Sequence, residues 1–130
     1  MKVVDTAYYT ALTNASISGI QGIWNRLAEQ GATFPYIVIT EVSGVPDGAS
    51  DTDCEVFLHQ IVVWSTTSAA DAGTKMALAD AALHGQTLTV SGYTVVGECR
   101  RQERIQQYDE DVGAWGDGAV YELRIARAAP

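Results

Sequence analysis

The chain has 130 residues, 47% of them hydrophobic and 18% charged, a composition typical of one globular domain rather than of a disordered chain. Eight Lys and Arg stand against 16 Asp and Glu, and the net charge of −8 argues against a broad DNA-binding or anionic-membrane-binding surface. No apolar stretch approaches the ~20 residues that cross a bilayer, and the N-terminus lacks the apolar run of a secretory signal. We therefore expect one soluble domain over residues 1–130.

The first third of the chain predicts one helix and one clear strand. Apolar residues between positions 3 and 13 recur at helical spacing and predict a short amphipathic helix. Residues 14–22 are rich in Asn, Ser and Gly and predict a loop, whereas residues 22–27 are a short segment capable of forming a strand. After Pro35, residues 36–42 are almost all β-branched or aromatic and predict a strand.

The strongest predicted strand follows a long loop. Residues 43–53 contain two glycines, one proline and three aspartates, which predicts a solvated loop. Residues 55–64 then place apolar side chains on both faces of a strand, because successive side chains alternate. Two predicted helices can cover only one face, so we expect the other face to contact a neighbouring subunit. The predicted subunit-interface residues are Val56, Leu58, Val62 and Trp64.

A second helix and a hairpin are predicted next. Residues 68–83 carry a stripe of small apolar residues, with Ser68 and Asp71 as an approximate capping box and Gly85 as the stop. Residues 86–90 and 93–98 flank a Ser-Gly pair and predict a hairpin whose second arm could continue to Tyr108.

The C-terminal part predicts a loop and a last strand. Residues 109–118 are acidic and glycine-rich and predict a loop that holds Trp115. Residues 119–127 alternate between apolar and charged side chains, as expected of a strand with one wet face. The predicted order is α-β-β-β-α-β-β-β. The expected fold class is α+β, with a mixed or antiparallel sheet of five to six strands and two helices on one face.

The sequence shows no constellation of catalytic or metal-binding residues. His59 lies mid-strand and His84 lies at a helix end, and neither has partners at zinc-ligand spacing. No phosphate-binding loop, nucleophile elbow or dinucleotide fingerprint is present, so we expect no catalytic residue, metal or cofactor. Cys54 and Cys99 are expected to be reduced thiols. Arg100, Arg101 and Arg104 stand among acids and predict a strand of mixed charge.

Two acidic loops are the candidate contacts to other proteins. The alternation of Asp51, Asp53 and Glu55 suggests a calcium loop, but its glycine is misplaced, so a solvated loop is the expectation. Paired carboxylates can do acid–base work in a cleft, yet acids in a loop are more often solvated. The candidate partner-contact residues are Asp47, Asp51, Asp53, Asp109, Asp111 and Trp115.

Five short segments follow one another in an order and spacing that are together more specific than any one of them. They are Ile23-Trp24, Pro35-Tyr36-Ile37-Val38-Ile39, Gln60-Ile61-Val62-Val63-Trp64-Ser65, Ala82-Leu83-His84-Gly85 and Val120-Tyr121-Glu122-Leu123-Arg124-Ile125. In this arrangement the chain resembles, over most of its length, the tail-completion (tail-terminator) family of long-tailed, siphovirus-type bacteriophages. It departs from the family in the short stretch before Ile23 and the long 109–118 loop, which concern partner contacts rather than the fold.

The resemblance implies a structural protein of the virion, assembled in the host cytoplasm. It implies a homo-oligomeric ring, usually a hexamer, at the head-proximal end of the tail tube. Such a ring ends polymerisation of the major tail tube protein, joins the capsid neck protein, and lets DNA pass through its lumen without specific binding. An acidic protein suits that lumen, because like charges repel DNA.

Three rival functions remain open at the level of sequence. A head-side neck adaptor or stopper would be separated from a tail terminator by the complex with which it co-purifies. A small α+β enzyme or ligand-binding domain could use His59 with loop carboxylates. A DNA-binding module would show affinity that falls steeply with salt.

Overall fold

The computed structural model describes residues 2–46 and 54–127. Two helices are present in these ranges, α1 (Lys2–Ala15) and α2 (Ala69–Leu83). Six strands accompany them: β1 (Ile23–Asn25), β2 (Tyr36–Pro46), β3 (Cys54–Ser65), β4 (Tyr93–Val95), β5 (Arg100–Asp109) and β6 (Ala114–Arg127). The predicted loop residues Asp47, Asp51 and Asp53 lie outside the described residues.

The strands form one mixed sheet in the order β1-β2-β3-β6, with β4 and β5 both paired to the free side of β6. Strand β1 runs parallel to β2, and every other pair is antiparallel. Strands β4 and β5 follow one another along β6, because Val95 pairs with Ile125 and Arg100 pairs with Glu122. The predicted α+β class is confirmed, and the order of elements is as predicted through α2, whereas the three strands that follow have other bounds than predicted.

Both helices pack on the same face of the sheet and enclose the core there. The core side chains come from α1, α2, β2, β3 and β6, with Leu88, Val90 and Cys99 from the connecting segment. Tyr8, Ile61, Tyr121 and Leu123 are among the side chains that are fully buried. Burial of an aliphatic or aromatic side chain of this size stabilises the fold by roughly 1.5–3 kcal/mol. Neither helix is long and apolar enough to span a membrane, within the residues described.

Helix α2 begins and ends where the sequence predicts. The hydroxyl of Ser68 accepts a hydrogen bond of 3.0 Å from the backbone N–H of Asp71. At the other end, the N–H of His84 donates to the carbonyl of Asp80, and Gly85 takes a positive φ of 76°. A side chain at that φ is strained, which explains why glycine ends the helix.

The predicted hairpin of residues 86–90 and 93–98 is wrong. The turn at Ser91 and Gly92 forms, but residues 86–90 are not a strand, and residues 93–95 pair with β6 instead. Leu88 and Val90 enter the core, so burial rather than cross-strand pairing decides the conformation of this segment. Cys99 then returns the chain to the helix end, where it exchanges backbone hydrogen bonds with Gly85 and Gln86.

The predicted loop over residues 109–118 is also wrong. Strand β5 continues to Asp109, only residues 110–113 form the turn, and β6 begins at Ala114. A Cβ atom at Gly116 would lie 2.9 Å from the Trp64 ring. One at Gly118 would lie 2.8 Å from Val62 Cγ2 and would overlap the carbonyl oxygen of Ile61. The glycines therefore permit close packing between β6 and β3, and they do not mark a loop.

Candidate assembly interface

The face of the sheet opposite the helices is the candidate interface. Val56, Leu58, Val62 and Trp64 all occupy even positions of β3 and lie on this face, as predicted. Three of them are partly exposed, whereas Val62 is only 2% exposed in the single chain. Whether a neighbouring subunit covers these side chains stays a prediction.

A groove of about 620 Å³ lies on this open face, at the end where β3 finishes. We call it the sheet-face groove. One wall is formed by residues 26–32 and the other by Asp109 and Val112 of the β5–β6 hairpin. The side chains between the walls are Phe34, Tyr36, Val38, Thr40, Gln60, Val62 and Trp64.

The sheet-face groove has an aromatic interior and an apolar rim. The rings of Phe34 and Tyr36 stack with centroids 4.6 Å apart. On the rim, Leu27 is 82% exposed and Val112 is 55% exposed. Large apolar side chains that remain this exposed around a concave surface mark a site of contact with another molecule.

Charges at the rim are few and mostly acidic. The groove is lined by Arg26, Glu29 and Asp109 in addition to its apolar residues. Partial burial raises the pKa of Tyr36, and the nearby carboxylate of Asp109 raises this pKa further. The tyrosine therefore stays protonated at neutral pH and keeps a hydroxyl that can donate to a partner.

The predicted partner-contact residues of the second acidic segment do not share one loop. Asp109 ends β5 and accepts a hydrogen bond of 3.0 Å from the backbone N–H of Asp111, which lies in the turn. Trp115 lies within β6, against Tyr108 at a ring distance of 5.2 Å. It pairs with Ser65, which bonds to Asp71 of α2, so Trp115 lies on the helix side of the sheet, away from the groove.

His59 lies in the core and not at an accessible site. It is fully buried, stacks on Tyr8 at 4.6 Å, and its Nε2 lies 2.7 Å from Oδ1 of Asp5. Burial lowers the pKa of His59, and Asp5 opposes part of that shift. Asn25 donates to the other oxygen of Asp5 at 3.3 Å, so this contact ties α1 to the sheet.

Asp5, Glu41 and His59 also form the one group of possible metal ligands among the described residues, with one atom of each within 4.8 Å of the others. Within this group, Nε2 of His59 and Oδ1 of Asp5 bond to each other. The rival enzyme hypothesis placed His59 beside loop carboxylates. The structure instead places Asp109 and Asp111 in the β5–β6 hairpin, outside this group, and His59 is not accessible to a substrate.

The sequence analysis did not identify Asp5 as the partner of His59. The spacing of Val4, Ala7 and Tyr8 on one face of α1 placed Asp5 next to that face, and this was the available signal.

A second polar network fastens α2 to the sheet. Asp80 accepts hydrogen bonds from the hydroxyl of Tyr121 at 2.6 Å and from Nη1 of Arg101 at 2.7 Å. The backbone N–H of Arg101 also donates to Nδ1 of His84 at 2.9 Å. Both histidines thus have structural contacts, and Arg101 of β5 pairs with Asp80 of α2. Both cysteines are free thiols.

Comparison with known proteins agrees with the architecture. Residues 6–121 match the family model described as tail completion protein gp17. No curated protein is significantly similar in sequence. A chain in the solved virion of the native gene transfer agent particle has the same fold, with a TM-score of 0.74 and 20% identity, over 94% of this chain and 93% of that one.

The solved gp17 protein of bacteriophage SPP1 also has this fold. It superposes with a TM-score of 0.51 at 19% identity, over 96% of this chain and 91% of the phage protein. At such identities the two structures support the fold, and the family follows from the match that spans most of the chain. The chain belongs to the tail completion protein gp17 family.

Proposed function

We propose that the chain forms a ring at the head-proximal end of a phage tail tube, ends polymerisation of the tube, and offers the surface that joins the capsid neck. The observation that carries this proposal is the sheet-face groove, a largely apolar concave surface that nothing in the described residues 2–46 and 54–127 fills. The chain's membership of a family of tail completion proteins supports a role in phage tail assembly. A ring built from heterologous contacts closes on itself and does not grow into a filament, which suits a protein that stops growth.

The strand register suits contacts to two different partners. Pro46 pairs with Glu55 at one end of the β2–β3 pair, whereas Ser65 pairs with Trp115 at the other end. The segment containing Asp47, Asp51 and Asp53 joins the strands at the first end, and Asp109 and Asp111 lie at the second. We expect one of these acidic segments to contact the tail tube protein and the other the neck protein.

The net charge of −8 suits a ring through which DNA passes. A lumen lined by an acidic protein repels the phosphate backbone and so lets DNA slide without binding. The expectation is no measurable DNA affinity even at low salt, where electrostatic binding is strongest.

The test is a tube-growth assay. Tail tube protein of the same phage is polymerised with and without the purified chain, and tube lengths are measured by electron microscopy. We expect tubes to stop lengthening and to carry a ring at one end. Unchanged tube growth, with the chain bound to isolated capsid necks instead, would replace the proposal with a head-side adaptor. Binding to neither would remove both.

A variant of the groove rim tests whether the groove takes part in ring formation. Leu27 and Val112 are exposed in the single chain, so their replacement by aspartate should leave the fold intact. The doubly substituted protein should show the circular dichroism and melting temperature of the wild type but fail to form rings.

A further inference from the structure

The outer face of α2 carries no charged side chain. Every residue of this helix is described, and its exposed positions hold only alanine, threonine and leucine. They are Ala69, Ala70, Thr74, Ala77, Leu78 and Ala81. In a chain with 24 charged residues, a solvent-facing helix surface without one is the reverse of the usual amphipathic pattern.

The charges that α2 does carry are used within the chain. Asp71 accepts hydrogen bonds of 2.6 Å from both Ser65 and Lys75. Asp80 is held by Tyr121 and Arg101 in the network described above. The outer face is therefore left uncharged, with Leu78, 48% exposed, as its one large side chain. A neighbouring molecule can cover such a helix face without burying an unpaired charge.

The outer face of α2 and the sheet-face groove lie on opposite sides of the molecule. The helix packs on one face of the sheet through Met76, Ala79 and Leu83, so its outer surface points away from the sheet. The groove opens on the other face. One chain cannot bring the two surfaces together, and a two-fold contact between grooves would leave the helix uncovered.

We propose that the outer face of α2 in one copy docks in the sheet-face groove of the next copy. The alanines and Thr74 let the helix backbone approach the aromatic interior of the groove, and Leu78 supplies the side chain that enters it. Aromatic residues in a pocket that receives one apolar anchor are the usual centre of a protein interface. This inference rests on the proposed function, and it names the two surfaces that meet.

Such a contact is heterologous, because each copy gives its helix to one neighbour and its groove to the other. Repetition of one heterologous contact produces a ring when the rotation between copies closes. The contact therefore covers the sheet-face groove and the outer face of α2 with one interface.

Disulfide trapping tests the contact. Two single variants, Leu78→Cys and Val112→Cys, are prepared in a Cys54→Ser background, where the fully buried Cys99 is retained. After mixing and mild oxidation, we expect disulfides between the two different variants. Tyr9→Cys, which is equally exposed on α1, serves as the control and should not cross-link to position 112. Predominant 112–112 or 78–78 bonds would overturn the proposal in favour of a two-fold contact.

A charge pair gives a second, independent readout. Leu78→Glu should weaken self-association, measured by sedimentation, by about tenfold or more, and addition of Val112→Lys should restore part of the loss. Rings that form as well in Leu78→Glu as in the wild type would overturn the docking arrangement alone. A wild-type chain that neither associates nor cross-links overturns it too, and the tube-growth assay then decides the proposed function separately.

Discussion

Replacement of Gly118 by alanine is the sharpest test of the sheet register. The added Cβ would overlap the carbonyl oxygen of Ile61 and would lie 2.8 Å from Val62 Cγ2 and 2.9 Å from Val62 Cα. Two of these three atoms belong to the backbone of the central strand β3, so relief requires the strands to separate. Overpacking of this kind costs about 1–3 kcal/mol, and the rigid contacts place Gly118→Ala near the upper end.

The assay is urea unfolding followed by circular dichroism. With a slope of about 1.5–2 kcal/mol per molar urea for a chain of this size, a loss of ~3 kcal/mol lowers the midpoint by roughly 1.5–2 M. Gly73→Ala is the matched control, since its Cβ would meet only the terminal oxygen of the Asp117 side chain, at 3.3 Å, and alanine favours the helix. A midpoint for Gly118→Ala within about 0.3 M of the wild type would refute the β3–β6 register and restore the loop reading of residues 109–118.

Three further predictions concern buried polar groups. Burial raises the pKa of the Cys99 thiol to about 11. In the unfolded chain this thiol ionises near pH 8.5–9, so the free energy of unfolding should fall by up to ~2–3 kcal/mol as the pH rises from about 9 to 11. Comparison of the wild type with Cys99→Ala over this pH range measures the loss. Burial lowers the pKa of His59, so as the pH falls the imidazole is protonated in the unfolded chain before it is protonated in the folded chain. The free energy of unfolding should therefore fall as the pH drops below ~6.5, and His59→Gln should lose that part of the pH dependence in urea titrations. Tyr121→Phe removes the 2.6 Å hydrogen bond to the partly buried Asp80 and should cost about 1–3 kcal/mol in the same assay. A loss below ~0.5 kcal/mol would mean that water replaces the phenol without penalty.

The parts of the fold that the sequence predicted are those with a local signal. Strand β3 was recognisable from its alternation of faces, and α2 from Ser68 at its start and Gly85 after its end. Alternation alone places Phe57, Ile61 and Val63 together on one of the two apolar faces of β3, and the structure shows that the helices cover this face. Such elements follow from periodicity and capping alone.

The parts that were missed depend on residues far apart in sequence. Gly116 and Gly118 resemble loop residues until Trp64 and Ile61 are placed beside them, when the missing Cβ becomes a requirement of packing. The bond between Asp5 and His59 joins residues 54 positions apart. The sheet-face groove likewise combines residues 26–32 with Val112 of the distant β5–β6 turn, which no local pattern brings together.

The choice of substitution decides whether an interface experiment can be interpreted. Val62→Asp was the natural variant to test from sequence, because Val62 lies on the face predicted to meet a neighbour. The side chain is only 2% exposed in the single chain, so an aspartate there buries a charge and unfolds the protein whether or not a ring exists. Leu27, 82% exposed at the groove rim, is the informative position. Leu27→Asp should leave the urea midpoint within about 0.3 M of the wild type while it weakens self-association. If the substitution changes neither quantity, the rim of the groove is not part of the interface.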